Sequence, residues 1–266
     1  MIWSVVSKAE MKGCTSPTFR FQEEALGKDN IKLAVVDEDD NLNFVDKDDI
    51  VLLRTASKAF VDTIHKKGVK STAEDFNAYR LTSDKVALTD FLRSRELSVA
   101  RRYSIHDVVD GKEYFVKPRN GSDSKVSPQF ICHTREEVER QRQEIFKEYN
   151  QDVIIEDYLP GKEYTVACSK IGSGLYSAPI DINVPFERMD KEEEFNVRTL
   201  AIWTFIELEL KHHARIDLRS DGKGNIYVID VNLIPSLGPN DKWTKCFEAC
   251  SLFYEEALMM AVNSAL

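Results

Sequence analysis

Four polar side chains between residues 215 and 232 could meet on one face of a β-hairpin. Two runs, ARIDL and IYVIDVN, alternate apolar and polar residues. Because alternate residues of a strand point to the same face, Arg215 and Asp217 share a face, and so do Asp230 and Asn232. The RSDGKGN between the runs is rich in turn residues and contains DG, which is typical of tight hairpins. Antiparallel pairing would bring two carboxylates, an amide and a guanidinium together.

This set of oxygen ligands indicates a magnesium site. Carboxylate and amide oxygens suit Mg²⁺, which usually adds waters and phosphate oxygens to its ligands. Aliphatic neighbours indicate that both strands are buried, and unpaired carboxylates are costly to bury. A metal ion or Arg215 would therefore compensate Asp217 and Asp230. The alternative is an exposed polar hairpin face that binds nothing.

Lys117 and the loop after it are candidates for binding phosphate. The lysine ends an apolar strand, EYFVK, and PRNGSDSKVS follows. Small and hydroxyl residues let backbone N–H groups close over phosphates. The loop matches neither GxxxxGK(S/T) nor GxGxxG, so a Walker-type NTPase is not expected. Alternatively, Lys117 extends to solvent, as lysines at strand ends usually do.

The segment IIEDYLPGKE, which runs from a strand into a turn, could hold an adenosine. Its acids Glu156 and Glu163 flank an apolar pair. Backbone groups of Asp157 and Leu159 could read the adenine edge. Glu156 could accept from the adenine amino group, and Glu163 could hold the ribose hydroxyls. The alternative is that both glutamates are ordinary exposed acids.

Alternating strands and helices must position these residues. Strands over 2–6, 31–36 and 50–54 and a helix over 55–67, closed by Gly68, predict a small α/β lobe. Periodicity predicts further helices over 82–95 (capped by Ser83), 134–149 (capped by Thr134), 192–211 and 241–264, and strands over 113–117, 128–132, 152–157 and 163–168. We therefore predict an α/β (α+β) protein with three lobes, spanning residues 1–75, 76–158 and 159–266.

Composition limits the partners. The 266 residues carry a net charge of −9 and no Lys/Arg cluster, which argues against nucleic acid as a partner. No stretch has the apolar length of a membrane span, so no membrane partner is expected. The five scattered cysteines contain no CxxC pair and indicate free thiols in a reducing cytoplasm. The oligomeric state stays open, with a homodimer as one alternative.

Several of these segments resemble the motifs of ATP-grasp ligases, in the family's order. The segments are SDKVALTDFLRSREL, VKPRNGSDS, IIEDYLPGKEYTV and ARIDLRSDGKGNIYVIDVNLIPSLGP. They most resemble the D-alanine–D-alanine ligase branch, over residues 75–240, and the motifs are specific as a set. The resemblance implies the ATP-grasp fold, in which two α+β lobes clasp the nucleotide. Residues 1–70 resemble a reduced form of the family's N-terminal α/β lobe.

Position by position, the resemblance implies a role for each candidate residue. The implied nucleotide contacts are Lys85, Lys117 and Gly121 at the phosphates and Glu156, Asp157, Leu159 and Glu163 at the adenosine; the implied magnesium ligands are Asp217, Asp230 and Asn232. Arg215 matches the arginine that stabilises the tetrahedral intermediate. Ser122 and Ser124, in the mobile loop that closes over the triphosphate, complete the implied catalytic set.

The sequence also departs from the family pattern. Asp230 stands where the family usually has Glu, and the turn PSLGP, with Ser236, replaces the PGM-type turn that helps to hold the acceptor. The stretch between residues 178 and 194 is short and lacks the family's lysine–tyrosine loop. Arg188 is the nearest basic residue there for a substrate carboxylate. Ser236 and Arg188 are therefore the substrate candidates.

The resemblance implies an ADP-forming, ATP- and Mg²⁺-dependent carboxylate–amine ligase, for which Mn²⁺ could substitute. The expected partners are small amino acids or short peptides, joined through an acylphosphate. One alternative is a ligase that adds an amino acid to the terminus of a protein or ribosomal peptide. Another is a non-catalytic ATP-binding regulatory protein on the same fold.

Overall fold

The computed structural model describes residues 1–8, 15–37, 40–55, 57–120 and 130–266. The strands are β1 (Ile2–Ser7), β2 (Ile31–Val36), β3 (Ile50–Leu53), β4 (Lys70–Ser71), β5 (Arg102–Tyr103), β6 (Tyr114–Pro118), β7 (Phe130–Cys132), β8 (Val153–Asp157), β9 (Glu163–Ile171), β10 (Gly174–Asp181), β11 (His213–Ser220) and β12 (Ile226–Asn232). The α-helices are α1 (Thr15–Leu26), α2 (Lys58–Lys67), α3 (Phe76–Ser83), α4 (Lys85–Ser94), α5 (Arg135–Tyr149), α6 (Lys191–Glu207), α7 (Lys242–Ala249) and α8 (Tyr254–Asn263). The mixed architecture confirms the predicted α/β class.

The first sheet is parallel, in the order β2-β1-β3-β4. A parallel sheet is covered on both faces, so its strands read as continuous apolar runs. Val51, Leu52 and Leu53 of β3 are accordingly all buried. The following helix α2 ends at Gly68, whose φ of 63° is the left-handed conformation expected of a glycine C-cap.

The second sheet is antiparallel, in the order β5-β8-β6-β7. Val138 and Ile145 of α5 pack into its core. Thr134 caps α5 as predicted, because its hydroxyl accepts the Glu137 N–H at 3.1 Å. This sheet carries Lys117 at the end of β6 and Glu156 on β8.

The third sheet is antiparallel, in the order β10-β9-β11-β12, and it contains the predicted hairpin. Val197 of α6 shares one core with Val166 of β9. Trp243 of α7 shares another core with Ala167. Because successive residues of β9 point to opposite faces, α6 covers one face of the sheet, and α7 and α8 cover the other.

Some helices differ from their predicted bounds. The helix predicted over 82–95 begins at Lys85, because Asp84 rather than Ser83 caps it. The Asp84 carboxylate accepts the N–H groups of Val86 and Ala87. Ser83 instead ends α3.

The C-terminal segment is also divided. The single helix predicted over 241–264 is two helices, α7 and α8, separated near Ser251, whose φ of 68° a helix does not accommodate. The helices α1 and α3 and the strands β4, β5 and β10 are not among the predicted elements. Each sheet comes from one continuous stretch of chain, while the lobe boundaries near residues 75 and 158 stay predictions.

Two further predictions concern free cysteine thiols and membrane-spanning segments. Cys132, Cys168 and Cys246 are buried free thiols, and Cys250 is an exposed one. None of the helices in the described ranges has both the length and the apolar composition needed to cross a bilayer.

His213 provides a pH-dependent test of the core beneath the third sheet. Its buried ring lies 5.1 Å from the Trp243 ring, between centroids, and its Nδ1 lies 3.2 Å from Ser264 Oγ. Burial lowers the pKa of His213 to about 3, and the nearby charges of Arg54 and His212 add to that shift. The folded protein therefore keeps this ring neutral, whereas the unfolded chain protonates it below a pKa of about 6.5.

Since the unfolded state then binds the extra proton, we expect stability to fall as the pH drops from about 6.5 towards 3. This group alone contributes a slope of up to about 1.4 kcal/mol per pH unit. His213→Phe should remove that part of the slope in urea unfolding measured at several pH values. His106→Gln, at an exposed histidine, is the matched control. An unchanged slope in the His213 variant would contradict this assignment.

Candidate active site

The hairpin brings the predicted acids together. In the register of β11 and β12, Asp217 lies opposite Asp230 and Arg215 lies opposite Asn232. A bulge follows Asp217, and such irregularities often re-aim side chains beside active sites. The alternation read from the sequence therefore predicted correctly which residues share a face.

This polar face is on the same side of the sheet as α7 and α8, which pack against β9 and β10. Asp217 pairs with Thr165 on β9, and Arg215 pairs with Ala167. Ala167 belongs to the same buried core as Trp243 of α7. The acids therefore lie beside an apolar core and not on an open surface.

Asp217 is held by two side chains. Thr165 Oγ1 donates to Asp217 Oδ1 at 2.8 Å. Arg215 donates through Nε to Oδ1 at 3.2 Å and through Nη2 to Oδ2 at 3.0 Å. Burial opposes the charge of the guanidinium, yet the pKa of Arg215 is raised because Asp217 and Asp230 stabilise that charge.

Asp230 is in a less favourable position. Burial, and then the like charge of Asp217, raise the pKa of Asp230 above its usual value. Lys85, Arg215 and Lys117 counter part of this effect. Two carboxylates held together out of water are costly unless a cation compensates them, so a divalent cation would complete the charge balance here.

The donor set fits a magnesium ion that brings its own phosphate ligands. In the described part of the chain, no three or more His, Cys, Asp or Glu side chains cluster as metal ligands. The protein would thus supply Asp217, Asp230 and the amide oxygen of Asn232, which also accepts the Ile234 N–H at 2.8 Å. Mg²⁺ is commonly held by only one or two carboxylates together with waters and substrate phosphates.

Lys117 does not extend to solvent. Its Nζ lies 2.8 Å from Glu156 Oε2, and both side chains are buried, at 7% and 8% exposure. The pair joins the neighbouring strands β6 and β8. In their register, Phe115 lies opposite Glu156 and Lys117 lies opposite Ile154. Glu156 therefore has a buried ionic partner as well as its predicted adenine contact.

Lys85 reaches the same region from the first turn of α4. Its backbone N–H donates to Arg119 O at 3.0 Å, which ties α4 to the end of β6. Burial lowers the pKa of Lys85; the charge of Asp230 opposes that shift and the like charge of Lys117 adds to it. Lysines from two elements thus converge on the acids of the hairpin.

At the hinge after β8, the backbone of Asp157 could contact the adenine edge in only one way. The Asp157 N–H already donates to Arg101 O at 3.0 Å, so only the Asp157 carbonyl could serve the base. The Asp157 carboxylate is bound by Tyr103 Oη at 2.9 Å and Lys112 Nζ at 2.6 Å. Leu159 is buried.

Glu163, the predicted ribose acid, lies between two cations. Its Oε1 is 3.2 Å from Lys242 Nζ, and its Oε2 is 3.7 Å from Arg219 Nη1. Lys242 Nζ is also 3.7 Å from Asp217 Oδ2. Neither Lys242 nor Arg219 was among the predicted site residues: Lys242 lies outside the motifs, and Arg219 lies in the hairpin segment but was given no role.

The remaining candidates are not joined to this cluster by any described contact. Arg188 is exposed between β10 and α6, and Ser236 is exposed after β12. The predicted loop residues Gly121, Ser122 and Ser124 lie outside the described residues. Their roles stay predictions.

Comparisons with known proteins agree on one family. A model of the D-ala D-ala ligase C-terminus matches residues 176–262. The D-alanine–D-alanine ligase of Francisella philomiragia is 26% identical over 218 residues, covering 74% of this chain and 72% of that protein. The chain is similar to the D-alanine–D-alanine ligase branch of the ATP-grasp ligases.

Solved structures show the same fold as this chain. D-alanyl-alanine synthetase A from Vibrio cholerae superposes with a TM-score of 0.77 at 16% identity, covering 98% of this chain and 96% of that chain. The D-alanine–D-alanine ligase from Bacillus anthracis complexed with ATP gives a TM-score of 0.73 at 17% identity, covering 99% and 96%. The ATP-grasp fold predicted from the motifs is confirmed.

The buried Lys117–Glu156 pair allows a stability test. Lys117→Met leaves the Glu156 carboxylate buried without its cation, so we expect a loss of about 3–5 kcal/mol in the free energy of unfolding. The double variant Lys117→Met/Glu156→Leu should recover much of that loss, because no unpaired charge stays behind. Urea denaturation at neutral pH measures both.

Lys112→Met is the matched control, because Lys112 pairs with Asp157 where both side chains are substantially exposed, at 44% and 31%. An exposed pair contributes at most about 1 kcal/mol. Equal losses in the two single variants would show that the Lys117–Glu156 pair does not behave as a buried one.

Proposed function

We propose that this ligase joins a carboxylate to the amine of an amino acid or short peptide, through an acylphosphate made from ATP. The observation that supports this most is the facing pair Asp217 and Asp230, approached by Lys85, Lys117 and Arg215. Two facing carboxylates with cations around them are suited to bind a polyphosphate together with its metal ion. Phosphoryl transfer depends mainly on positioning and charge neutralisation, which this cluster can supply.

Each residue then has a defined task. Asp217, Asp230 and Asn232 would hold the Mg²⁺, which when bound supplies Lewis-acid neutralisation of the phosphate oxygens. Lys85 and Lys117 would balance further phosphate charge from the side of the second sheet. The carboxylate substrate attacks the γ-phosphorus and ADP leaves.

The second half of the reaction takes place at the acyl carbon. The amine nitrogen attacks the acyl carbon, and the carbon–oxygen bond to phosphate breaks, so the products are an amide and inorganic phosphate. Arg215, beside Asp217 and only 15% exposed, would stabilise the oxyanion of the tetrahedral intermediate. Ser122 and Ser124 would close over the triphosphate and exclude water, which would otherwise hydrolyse the acylphosphate.

The adenosine would lie at the hinge. The Asp157 carbonyl and the Leu159 backbone would read the adenine edge, with Glu156 beside the amino group and Glu163 at the ribose. Arg188 and Ser236 are the proposed substrate contacts. The comparisons favour neither transfer to a protein terminus nor a non-catalytic regulatory role.

Activity tests these assignments directly. ADP and phosphate should be released only when ATP, Mg²⁺, a carboxylate and an amine are all present, with the amide detected by mass across a panel of amino acids and dipeptides. We expect Asp230→Ala and Lys117→Ala each to lower kcat/KM by on the order of 100-fold or more, as the loss of transition-state charge stabilisation does.

Asp221→Ala is the control for the hairpin variant. Its carboxylate accepts only from Lys223 and Asn225 within the exposed turn, among the contacts described, so it should retain wild-type activity. Full activity in Asp230→Ala would overturn the site assignment. ADP release without any dependence on an amine would overturn the reaction class.

A further inference from the structure

Lys242 lies inside the charged cluster although no motif predicts it. It is the first residue of α7 and its side chain is 35% exposed. Its Nζ lies 3.2 Å from Glu163 Oε1 on β9 and 3.7 Å from Asp217 Oδ2 on β11. One ammonium group therefore bridges the proposed ribose acid and a proposed metal ligand.

Both of these acids have a second cation. Arg215 binds Asp217 through two nitrogens, and Arg219 Nη1 lies 3.7 Å from Glu163 Oε2. Among the described ion pairs, Lys242 is thus the cation that the two acids share. In the free protein, the ammonium group of Lys242 partly neutralises the negative charge that a bound divalent ion would neutralise.

Binding of metal-bound ATP would remove both partners of Lys242. A Mg²⁺ coordinated by Asp217 would lie about 2 Å from a carboxylate oxygen, and it would repel an ammonium group beside the same carboxylate. Ribose hydroxyls that donate to Glu163 would compete for its oxygens. The lysine would then need another anion, and in the proposed site the phosphate chain would lie between the ribose acid and the metal ligands.

The lysine side chain is suited to such a move. It is a compact point charge on a flexible stem, and it is partly exposed at the first residue of α7. The connection between β10 and α6 offers only Arg188 as a basic residue, and that residue is exposed. Lys242 therefore provides a cation from α7, in addition to Lys85 from α4 and Lys117 from β6.

We propose that Lys242 is a phosphate-binding residue that takes the place of the metal ion in the free protein and transfers to the phosphate chain when metal-bound ATP binds. The inference rests on the proposed function, since it needs a nucleotide between Glu163 and Asp217. It makes two opposite predictions for removing the ammonium group. In the absence of nucleotide, a variant that lacks this group should bind the metal ion more tightly than the wild type does. The same variant should bind the nucleotide more weakly.

Lys242→Met tests both, because methionine keeps most of the side-chain stem. Binding of Mn²⁺ alone, followed by electron paramagnetic resonance, should tighten by about threefold or more. Binding of a non-hydrolysable ATP analogue with Mg²⁺, followed by calorimetry, should weaken by about tenfold, the factor that corresponds to 1.4 kcal/mol. Lys242→Arg should keep the nucleotide affinity within about threefold of the wild type.

Lys245→Met is the matched control, since Lys245 lies on the same helix and no described contact links its side chain to Glu163 or Asp217. It should leave both affinities unchanged. Unchanged affinities in Lys242→Met, or a loss of both together, would overturn the proposal, because local misfolding would weaken both. If the wild type itself fails to bind the analogue with Mg²⁺, the proposed function fails instead.

Discussion

Two carboxylates that face each other across a buried hairpin set the requirements for the rest of the site. Asp217 and Asp230 are partners in the β11–β12 register and lie on the side of the sheet where α7 packs against β9. Their mutual repulsion and loss of water raise the pKa of Asp230. Such an arrangement persists only where cations surround it. Arg215 supplies one from the same strand, and lysines from other elements supply the rest.

This constraint explains why three separate parts of the chain meet at the hairpin. The capped end of α4 delivers Lys85, the end of β6 delivers Lys117, and the start of α7 delivers Lys242. The β12 strand is also tied to the segment before β5, since the Val228 N–H donates to Ser98 O at 2.9 Å. A nucleotide placed among these groups would replace protein–protein ion pairs by contacts to phosphate.

Local patterns predicted the parts of the site that one element determines. Alternation in ARIDL and IYVIDVN was enough to place Asp217 and Asp230 on one face, and the strand and cap signals gave the main elements. Contacts between elements were beyond such patterns. Lys242 is separated from Glu163 by several elements, so only the packing of α7 on β9 shows that they meet. The buried partner of Lys117 became evident only once the register of β6 and β8 was known.

The central claim is that the Asp217–Asp230 pair holds ATP through a metal ion. Its most direct test is calorimetric titration of a non-hydrolysable ATP analogue into the protein, with Mg²⁺ and with a chelator. We predict binding that requires Mg²⁺ in the wild type, and its loss in an Asp217→Asn variant whose unfolding midpoint is close to that of the wild type. Binding that is equally strong with the chelator, or in the Asp217 variant, would contradict the account.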